Sequence, residues 1–186
     1  MTEPEGVLPA HVAAAAQLAC LLEVSAPKPG NVSPGRGFAD ASYEDFLASA
    51  VAIGGPLAWA GRRGLGTTIR LAIEATARWT RSNTNLGIVL LLAPLARAAL
   101  LGAAIPTASD PRLASDPELA PRALPTPDDL RRVLAATTVD DAREVYQAIR
   151  LAAPGGLGRS DPQDVSAEPE LWAGRSTIGE LGWGLR

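Results

Sequence analysis

Cysteine and histidine are nearly missing from this 186-residue chain, and their scarcity excludes several kinds of site. The one cysteine, Cys20, stands in an apolar run, so a disulfide framework or a cysteine-based metal site cannot be built within one chain. The one histidine, His11, offers no metal cluster and no histidine-based triad. We expect His11 to be a surface or helix-start residue.

Excess positive charge and a targeting segment are also absent from the sequence. The formal net charge is −3, which gives no bulk attraction to nucleic acid or to an anionic membrane, although a local basic pocket stays possible. The first residues, Met-Thr-Glu-Pro-Glu-Gly, are acidic where a signal peptide is basic. We therefore predict a reduced, cytoplasmic protein that binds neither nucleic acid nor membranes.

Aromatic residues make up only 4% of the chain, and no long stretch alternates between apolar and polar residues. Strands are therefore disfavoured, and the abundant alanine and leucine predict an all-α, single-domain multi-helix bundle over residues 9–168, with irregular tails at 1–8 and 169–186. Helices are predicted from Pro9 to about Val24, from the N-cap Ser42, over about 67–80, and over about 127–136 and 139–152. We expect Gly54-Gly55-Pro56 to break the second helix.

Helical spacing also predicts which side chains face inward. In the first helix these are Val12, Ala15, Leu18, Ala19 and Leu22; in the second, Phe46, Leu47, Ala50 and Val51; in the third, Ile69, Ala72, Ile73, Thr76 and Trp79. We expect the four tryptophans to serve in packing rather than as a stacking platform for bases.

The most apolar stretch runs over residues 86–105 and has nearly the length that spans a bilayer. Pro94 and Arg97 lie near its middle, and no aromatic belt flanks it. We interpret it as a central buried helix, with a membrane span as the alternative.

Polar residues concentrate in three loops, over residues 23–40, 82–85 and 154–164. The first contains Ser-Ala-Pro-Lys-Pro-Gly-Asn-Val-Ser-Pro-Gly, whose prolines and glycines predict rigid, defined turns. Lys28 between two prolines, with Gly30 and Asn31 after it, suits a phosphate. The alternative is a helix-helix corner with a solvated lysine.

The second loop, with Asn83, Thr84 and Asn85, directly precedes the most apolar helix, where backbone N–H groups attract anions. An ordinary helix cap is the alternative interpretation. Oxygen ligands for Mg²⁺ are offered by carboxylates. The candidates are Glu23, Asp40, Asp140, Asp141 and Glu144, of which Asp140 and Asp141 are already explained by helix capping.

Three segments, LLEVSAPKPGNVSPGRGFADASYEDFLASA (21–50), SNTNLGIVLLLAPLARAA (82–99) and TTVDDAREVYQAIRLAAPGGLGRSDPQDV (137–165), together resemble the triphosphoribosyl-dephospho-CoA synthase family. The resemblance implies an all-helical transferase that joins the triphosphoribosyl group of ATP to 3′-dephospho-CoA and releases adenine. It implies ATP as substrate and Mg²⁺ as cofactor. The expected partners are the small-molecule substrates, ATP and an acceptor like dephospho-CoA, with a homo-oligomer as a possibility.

Under this resemblance, Glu23 and Asp40 are catalytic residues or Mg²⁺ ligands. The residues that bind nucleotide or phosphate are then Lys28, Gly30, Asn31, Asn83, Thr84 and Asn85.

The sequence also departs from the family pattern. Better-known members tend to have a His-Lys pair at Asn85-Leu86 and a histidine near Phe38, so the identity of the acceptor is left open. The text after Pro169 also departs from the family, which suggests an altered or truncated C-terminus. The alternatives are another ATP- or phosphoribosyl-using enzyme on the same fold and an inactive helical protein.

Overall fold

A computed structural model describes residues 7–102 and 124–154 of the chain. The predictions for the N-terminal tail, for the C-terminal tail with its two tryptophans and for most of the third polar loop lie outside these ranges. The helices are α1 (Pro9–Ser25), α2 (Tyr43–Ala52), α3 (Gly54–Ala58), α4 (Leu65–Ala77), α5 (Leu86–Gly102), α6 (Pro127–Ala135) and α7 (Val139–Ala152), with a 3-10 turn at Ala60–Arg62. Within the described ranges no strand forms, and the all-α prediction is confirmed.

Three helices begin with a capping box, in which the N-cap hydroxyl accepts from the backbone three residues on and the acid there accepts from the N-cap N–H. The pairs are Ser42 with Asp45, Thr126 with Asp129, and Thr138 with Asp141. All three starts were predicted from sequence. Because both partners lie within one turn, such a start depends little on the rest of the fold.

The core lies where α3, α4 and α5 meet. Its largest fully buried apolar side chains are Ile53, Leu57, Ile69 and Val89. The chain breaks at Ile53, one residue before the predicted Gly54-Gly55-Pro56, and those three residues form the start of α3. Ile53 at this junction and Leu57 in α3 are both fully buried.

α1 buries a different face from the one predicted. The buried residues are Val12, Ala16, Cys20 and Val24, whereas Ala15, Leu18, Ala19 and Leu22 are exposed. The prediction was right for Val12 and wrong for the other four residues, because α1 is apolar on nearly every side and spacing alone did not select a face. Small residues at the buried positions let α1 pack closely on α2 and α3.

Near the C-terminal end of α2, Val51 was predicted to face inward, but its side chain is 62% exposed. The Val51 carbonyl accepts a 2.9 Å hydrogen bond from Gln17 Nε2 of α1. This cross-helix bond fixes the rotation of α2 and leaves the Val51 side chain outside.

α4 and α7 run parallel and form the most extensive helix pair. The Gly66 N–H donates a 2.8 Å bond to Asp141 Oδ1 near both helix starts, and Arg70 pairs with Glu144 one turn further along. The two contacts advance in the same direction along both helices. At this register α7 ends level with the last turn of α4.

α5 is the central helix that the apolar stretch predicted, and it continues through Pro94. Val89 and Ala93 are fully buried, and Arg97 Nη1 donates a 2.8 Å bond to the Ala60 carbonyl and another to the Arg63 carbonyl. Among the residues that the structure describes, no helix has both the length and the hydrophobicity that a membrane crossing requires.

Candidate functional site

Two loops meet at one end of the bundle. The first, residues 26–42, joins α1 to α2 and is called the proline loop; the second, residues 78–85, joins α4 to α5 and is called the asparagine loop. The Ser82 hydroxyl donates to the Asp40 carbonyl, which ties the loops to each other. Ser25 and Tyr43 hydroxyls, 2.9 Å apart, close the base of the proline loop.

Two tight turns give the proline loop its shape, as the Pro-Gly content predicted. Lys28-Pro29-Gly30-Asn31 is closed by a 3.3 Å bond from the Asn31 N–H to the Lys28 carbonyl, with Gly30 at φ 76°. Ser33–Arg36 is closed by reciprocal bonds of 2.9 and 2.8 Å, with Gly35 at φ 75°. Proline followed by a positive-φ glycine is the pattern of a type II turn. The loop therefore presents its charged side chains from a defined backbone.

The three charged site candidates from the first polar loop, Glu23, Lys28 and Asp40, differ in whether they form an ion pair. Lys28 forms an ion pair with Glu23, and both side chains are more than a third exposed. Asp40 is exposed, and its carboxylate makes no ion pair or hydrogen bond within the described residues. Asp40 is therefore the carboxylate whose charge is available, whereas that of Glu23 is neutralised by Lys28.

The two loops concentrate positive charge that the sequence alone did not reveal. Residues 26–42 and 78–85 carry four cations against one carboxylate, Asp40, in a chain of net charge −3. Because Lys28 is paired with Glu23 of α1, three arginines remain against Asp40. The cations are Lys28, Arg36, Arg78 and Arg81. The three arginines are exposed and form no ion pair in the described part of the chain. Positive charge here favours the approach of anions to this end of the molecule.

The asparagine loop is anchored by a buried polar network. Asn85 Nδ2 donates to Thr76 Oγ1 at 2.9 Å, and the Thr84 and Ser49 hydroxyls are hydrogen-bonded to each other. Ser49 gives its one proton to the Asp45 carbonyl at 2.6 Å, so Thr84 is the donor in that pair. Both loop side chains are buried. The structure thus directs Thr84 and Asn85 into the protein.

Asn83, the third predicted binder in this loop, caps α5. Its Oδ1 accepts a 3.2 Å bond from the Leu86 N–H, and the residue is exposed. The asparagine loop therefore presents Arg81 and Asn83 outward, Ser82 contacts the proline loop, and the last two residues hold the loop in place.

Trp79 was predicted to face inward and is instead 71% exposed. α4 ends at Ala77, so the helical spacing that placed Trp79 inward no longer applies two residues later. Phe38 in the proline loop is 54% exposed. The expectation that the tryptophans serve in packing is therefore wrong for Trp79.

Metal ligands are sparse in the described ranges, where no group of three His, Cys, Asp or Glu residues is close enough to hold an ion. Mg²⁺ in nucleotide sites is commonly held by one or two carboxylates together with the phosphates of the substrate. Asp40 fits that arrangement because its carboxylate is exposed and unpaired in the described part of the chain. Asp141 and Glu144 instead contact α4, and Asp140 pairs with Arg143.

The third predicted loop begins at the same end of the bundle. α7 runs parallel to α4 and ends at Ala152, followed by Ala153 at φ 42°. Pro154 is the last described residue, and the remainder of that loop lies outside the described residues.

Asp45 supports the junction between the loops, and its protonation is expected to weaken that junction. The Ser42 N–H, at 2.8 Å, and then the Ser42 and Thr80 hydroxyls lower the pKa of the Asp45 carboxyl, against a smaller opposing effect of burial. Thr80 Oγ1 in turn accepts from the Ser82 N–H at 3.1 Å. The Asp45 carboxylate is thus linked through Thr80 to the residue that joins the two loops.

We expect Asp45→Asn to lower the free energy of unfolding at pH 7 by about 0.5–1 kcal/mol, a modest value because the group is half exposed. A lowered carboxyl pKa stabilises the fold above the unfolded-state pKa, and this contribution is lost as pH falls through the folded-state value, below 3.8. Urea unfolding of both proteins should therefore converge in acid. Glu44→Gln, an exposed acid in the same turn, is the control, and a pH-independent difference for Asp45→Asn would contradict this account.

The fold and the site together define an all-α protein with paired loops of positive charge at one end of its bundle. The chain belongs to the CitG family, ATP:dephospho-CoA triphosphoribosyl transferase, whose model matches residues 9–181. This match continues past residue 168, where we placed the end of the domain. No curated protein and no solved structure matches the chain. Family membership implies a transferase of cofactor biosynthesis with ATP and dephospho-CoA as substrates.

Proposed function

We propose that this chain transfers the triphosphoribosyl group of ATP to a hydroxyl of 3′-dephospho-CoA, or of a related acceptor, and releases adenine. Beyond family membership, the observation that carries the proposal is the excess of cations, three of them arginines unpaired in the described part of the chain, on two loops that are hydrogen-bonded to each other. Such a site matches the three phosphates that stay on the transferred group.

In the reaction, the acceptor oxygen forms a bond to C1′ of the ATP ribose and the bond from C1′ to the adenine nitrogen breaks. The acceptor hydroxyl loses its proton, adenine gains one, and the triphosphate is retained. The transition state carries positive charge on the ribose, which a nearby carboxylate stabilises. The protein must therefore supply a carboxylate beside a cationic phosphate site.

Asp40 is proposed as that carboxylate, acting as base or as ligand to a phosphate-bound Mg²⁺, with Glu23 as the second candidate. Glu23 is paired with Lys28, so phosphates that attract Lys28 would also release the Glu23 carboxylate. Gly30 and Asn31 complete the turn that begins at Lys28, and they are proposed to bind phosphate beside it. A bound Mg²⁺ would supply further positive charge that balances the negative charge of the phosphates.

The asparagine loop is proposed to act in two ways. Asn83 lies on its outer side and is positioned to meet nucleotide or phosphate. Thr84 and Asn85 are proposed to position the nucleotide by holding the loop against α2 and α4, since their side chains already have buried partners.

The test is to incubate the purified chain with ATP, Mg²⁺ and dephospho-CoA, and to measure free adenine together with the mass of the nucleotide product. We expect one adenine for each triphosphoribosyl adduct. Adenine without an adduct, in equal amount when dephospho-CoA is omitted, would indicate hydrolysis and a different acceptor. No adenine from a folded chain would contradict the proposal and favour an inactive helical protein.

A further inference from the structure

Exposed aromatic side chains are concentrated beside the candidate site. The chain has few aromatics, 4% of its residues, and burial is their usual state. Three of the six in the described ranges are nevertheless exposed, namely Phe38, Trp59 and Trp79, at 54%, 45% and 71%. Two of these three lie in the paired loops.

Phe38 and Trp79 each lie close in sequence to one of the two residues whose hydrogen bond joins the loops. Phe38 is two residues before Asp40, and Trp79 is three residues before Ser82. Both are held by backbone bonds, from the Phe38 N–H to the Ala41 carbonyl at 2.8 Å and from the Trp79 N–H to the Thr76 carbonyl at 2.9 Å. Their rings therefore extend from fixed points at the same end of the bundle.

Resting on the proposed function, we propose that Trp79, together with Phe38, forms the surface on which an adenine ring of the substrates stacks. Every base has a flat π face that stacks on an aromatic side chain without requiring matched hydrogen bonds. Arg78 and Arg81 flank Trp79 and form no ion pair with any described residue. An exposed aromatic ring with a cation on either side of it in the chain matches a ligand that has both a base and phosphates.

The two substrates of the family each carry an adenine ring, and the stacking chemistry is the same for both. In ATP the ring is the leaving group, whereas in dephospho-CoA it is part of the acceptor. Binding measurements with each compound separately therefore assign the ring that Trp79 holds.

Trp59 provides a matched control at the opposite end of the bundle. It precedes α4, whereas Trp79 follows this 13-residue helix, which is about 20 Å long. The Arg62 guanidinium already lies 5.2 Å from the Trp59 ring centroid. Trp59 is thus an exposed tryptophan with its own cation partner, separated from the paired loops by the length of α4.

The experiment is calorimetric titration with ATP, dephospho-CoA and inorganic triphosphate, each with Mg²⁺, of the wild-type chain, Trp79→Ala, Trp79→Phe, Phe38→Ala and Trp59→Ala. Trp79→Ala should weaken binding of ATP or of dephospho-CoA by about 5- to 150-fold, the range of base-aromatic stacking. Trp79→Phe should retain most of the affinity, and Phe38→Ala should weaken the same nucleotide as Trp79→Ala. Trp59→Ala should bind as wild type does, and inorganic triphosphate should bind all variants equally.

Lys28→Ala gives the complementary pattern, because loss of a phosphate contact should weaken ATP and inorganic triphosphate alike. Unchanged nucleotide affinity in folded Trp79→Ala would overturn the stacking inference, and so would equal losses for ATP and triphosphate. Either result leaves the transferase proposal intact if adenine is still released. A wild-type chain that binds neither nucleotide would overturn both.

Discussion

Replacing Asp40 by asparagine is expected to lower kcat for adenine release by about 10²- to 10⁴-fold, the contribution of a positioned acid or base. The Asp40 carboxylate is exposed and unpaired in the described structure, whereas its carbonyl is held by Ser82. Asparagine keeps the size and the backbone contact and removes only the charge and the proton acceptor. The loss should therefore fall on catalysis and not on folding, as thermal unfolding would show.

Two further measurements separate the roles open to Asp40. If the carboxylate is a base, the acidic limb of the pH–kcat profile should disappear in the variant, and added Mg²⁺ should not restore activity. If it holds Mg²⁺, a higher Mg²⁺ concentration should recover part of the rate.

Asp140→Asn, at an exposed α7 residue outside the site, is the control and should be as active as wild type. Glu23→Gln should cost less than Asp40→Asn, because Lys28 already neutralises that carboxylate. Wild-type kcat in Asp40→Asn would remove Asp40 from the mechanism.

Gly66→Ala is expected to produce a large loss of stability. A Cβ at Gly66 would lie 2.2 Å from the Asp141 carbonyl oxygen and 2.5 Å from its Cα, so backbone must move. Overpacking costs about 1–3 kcal/mol where side chains can adjust. Here we expect at least the upper end of that range, since the 2.8 Å bond from the Gly66 N–H to the Asp141 carboxylate would also be strained.

Gly87→Ala is the matched control for that substitution. Gly87 also lies in a helix and is exposed, and a Cβ added there would meet no described atom within 4 Å. Alanine there should stabilise the fold by up to about 1 kcal/mol through helix propensity. Equal midpoints of urea unfolding for the two variants would contradict the close approach of α4 and α7.

The helix starts were predictable because the interactions that make them are local. Ser42 and Asp45 lie within one turn, as do Thr138 and Asp141, so their spacing in sequence is also their spacing in space. The turns of the proline loop are local for the same reason: proline restricts φ, and Gly30 adopts a positive value.

The candidate site could be predicted only in part. The loops and Lys28, Asp40 and Asn83 were singled out from residue type and position, and their roles stay predictions. Two facts were not readable from the sequence: Lys28 pairs with Glu23, and Thr84 has a buried partner in α2. A charge count over the two loops would have revealed the arginines, but only once it was known that the loops meet.

By itself, the sequence determined that the protein is helical, where most helices begin, and which loops are rigid and polar, since each depends on residues a few positions apart. Only the tertiary structure decided that α1 buries Val24 instead of Leu22, that Trp79 faces outward, and that the Asp40 carbonyl meets Ser82. These outcomes depend on contacts between helices distant in sequence. Where a helix is apolar on every side, the packing of its neighbours selects the buried face.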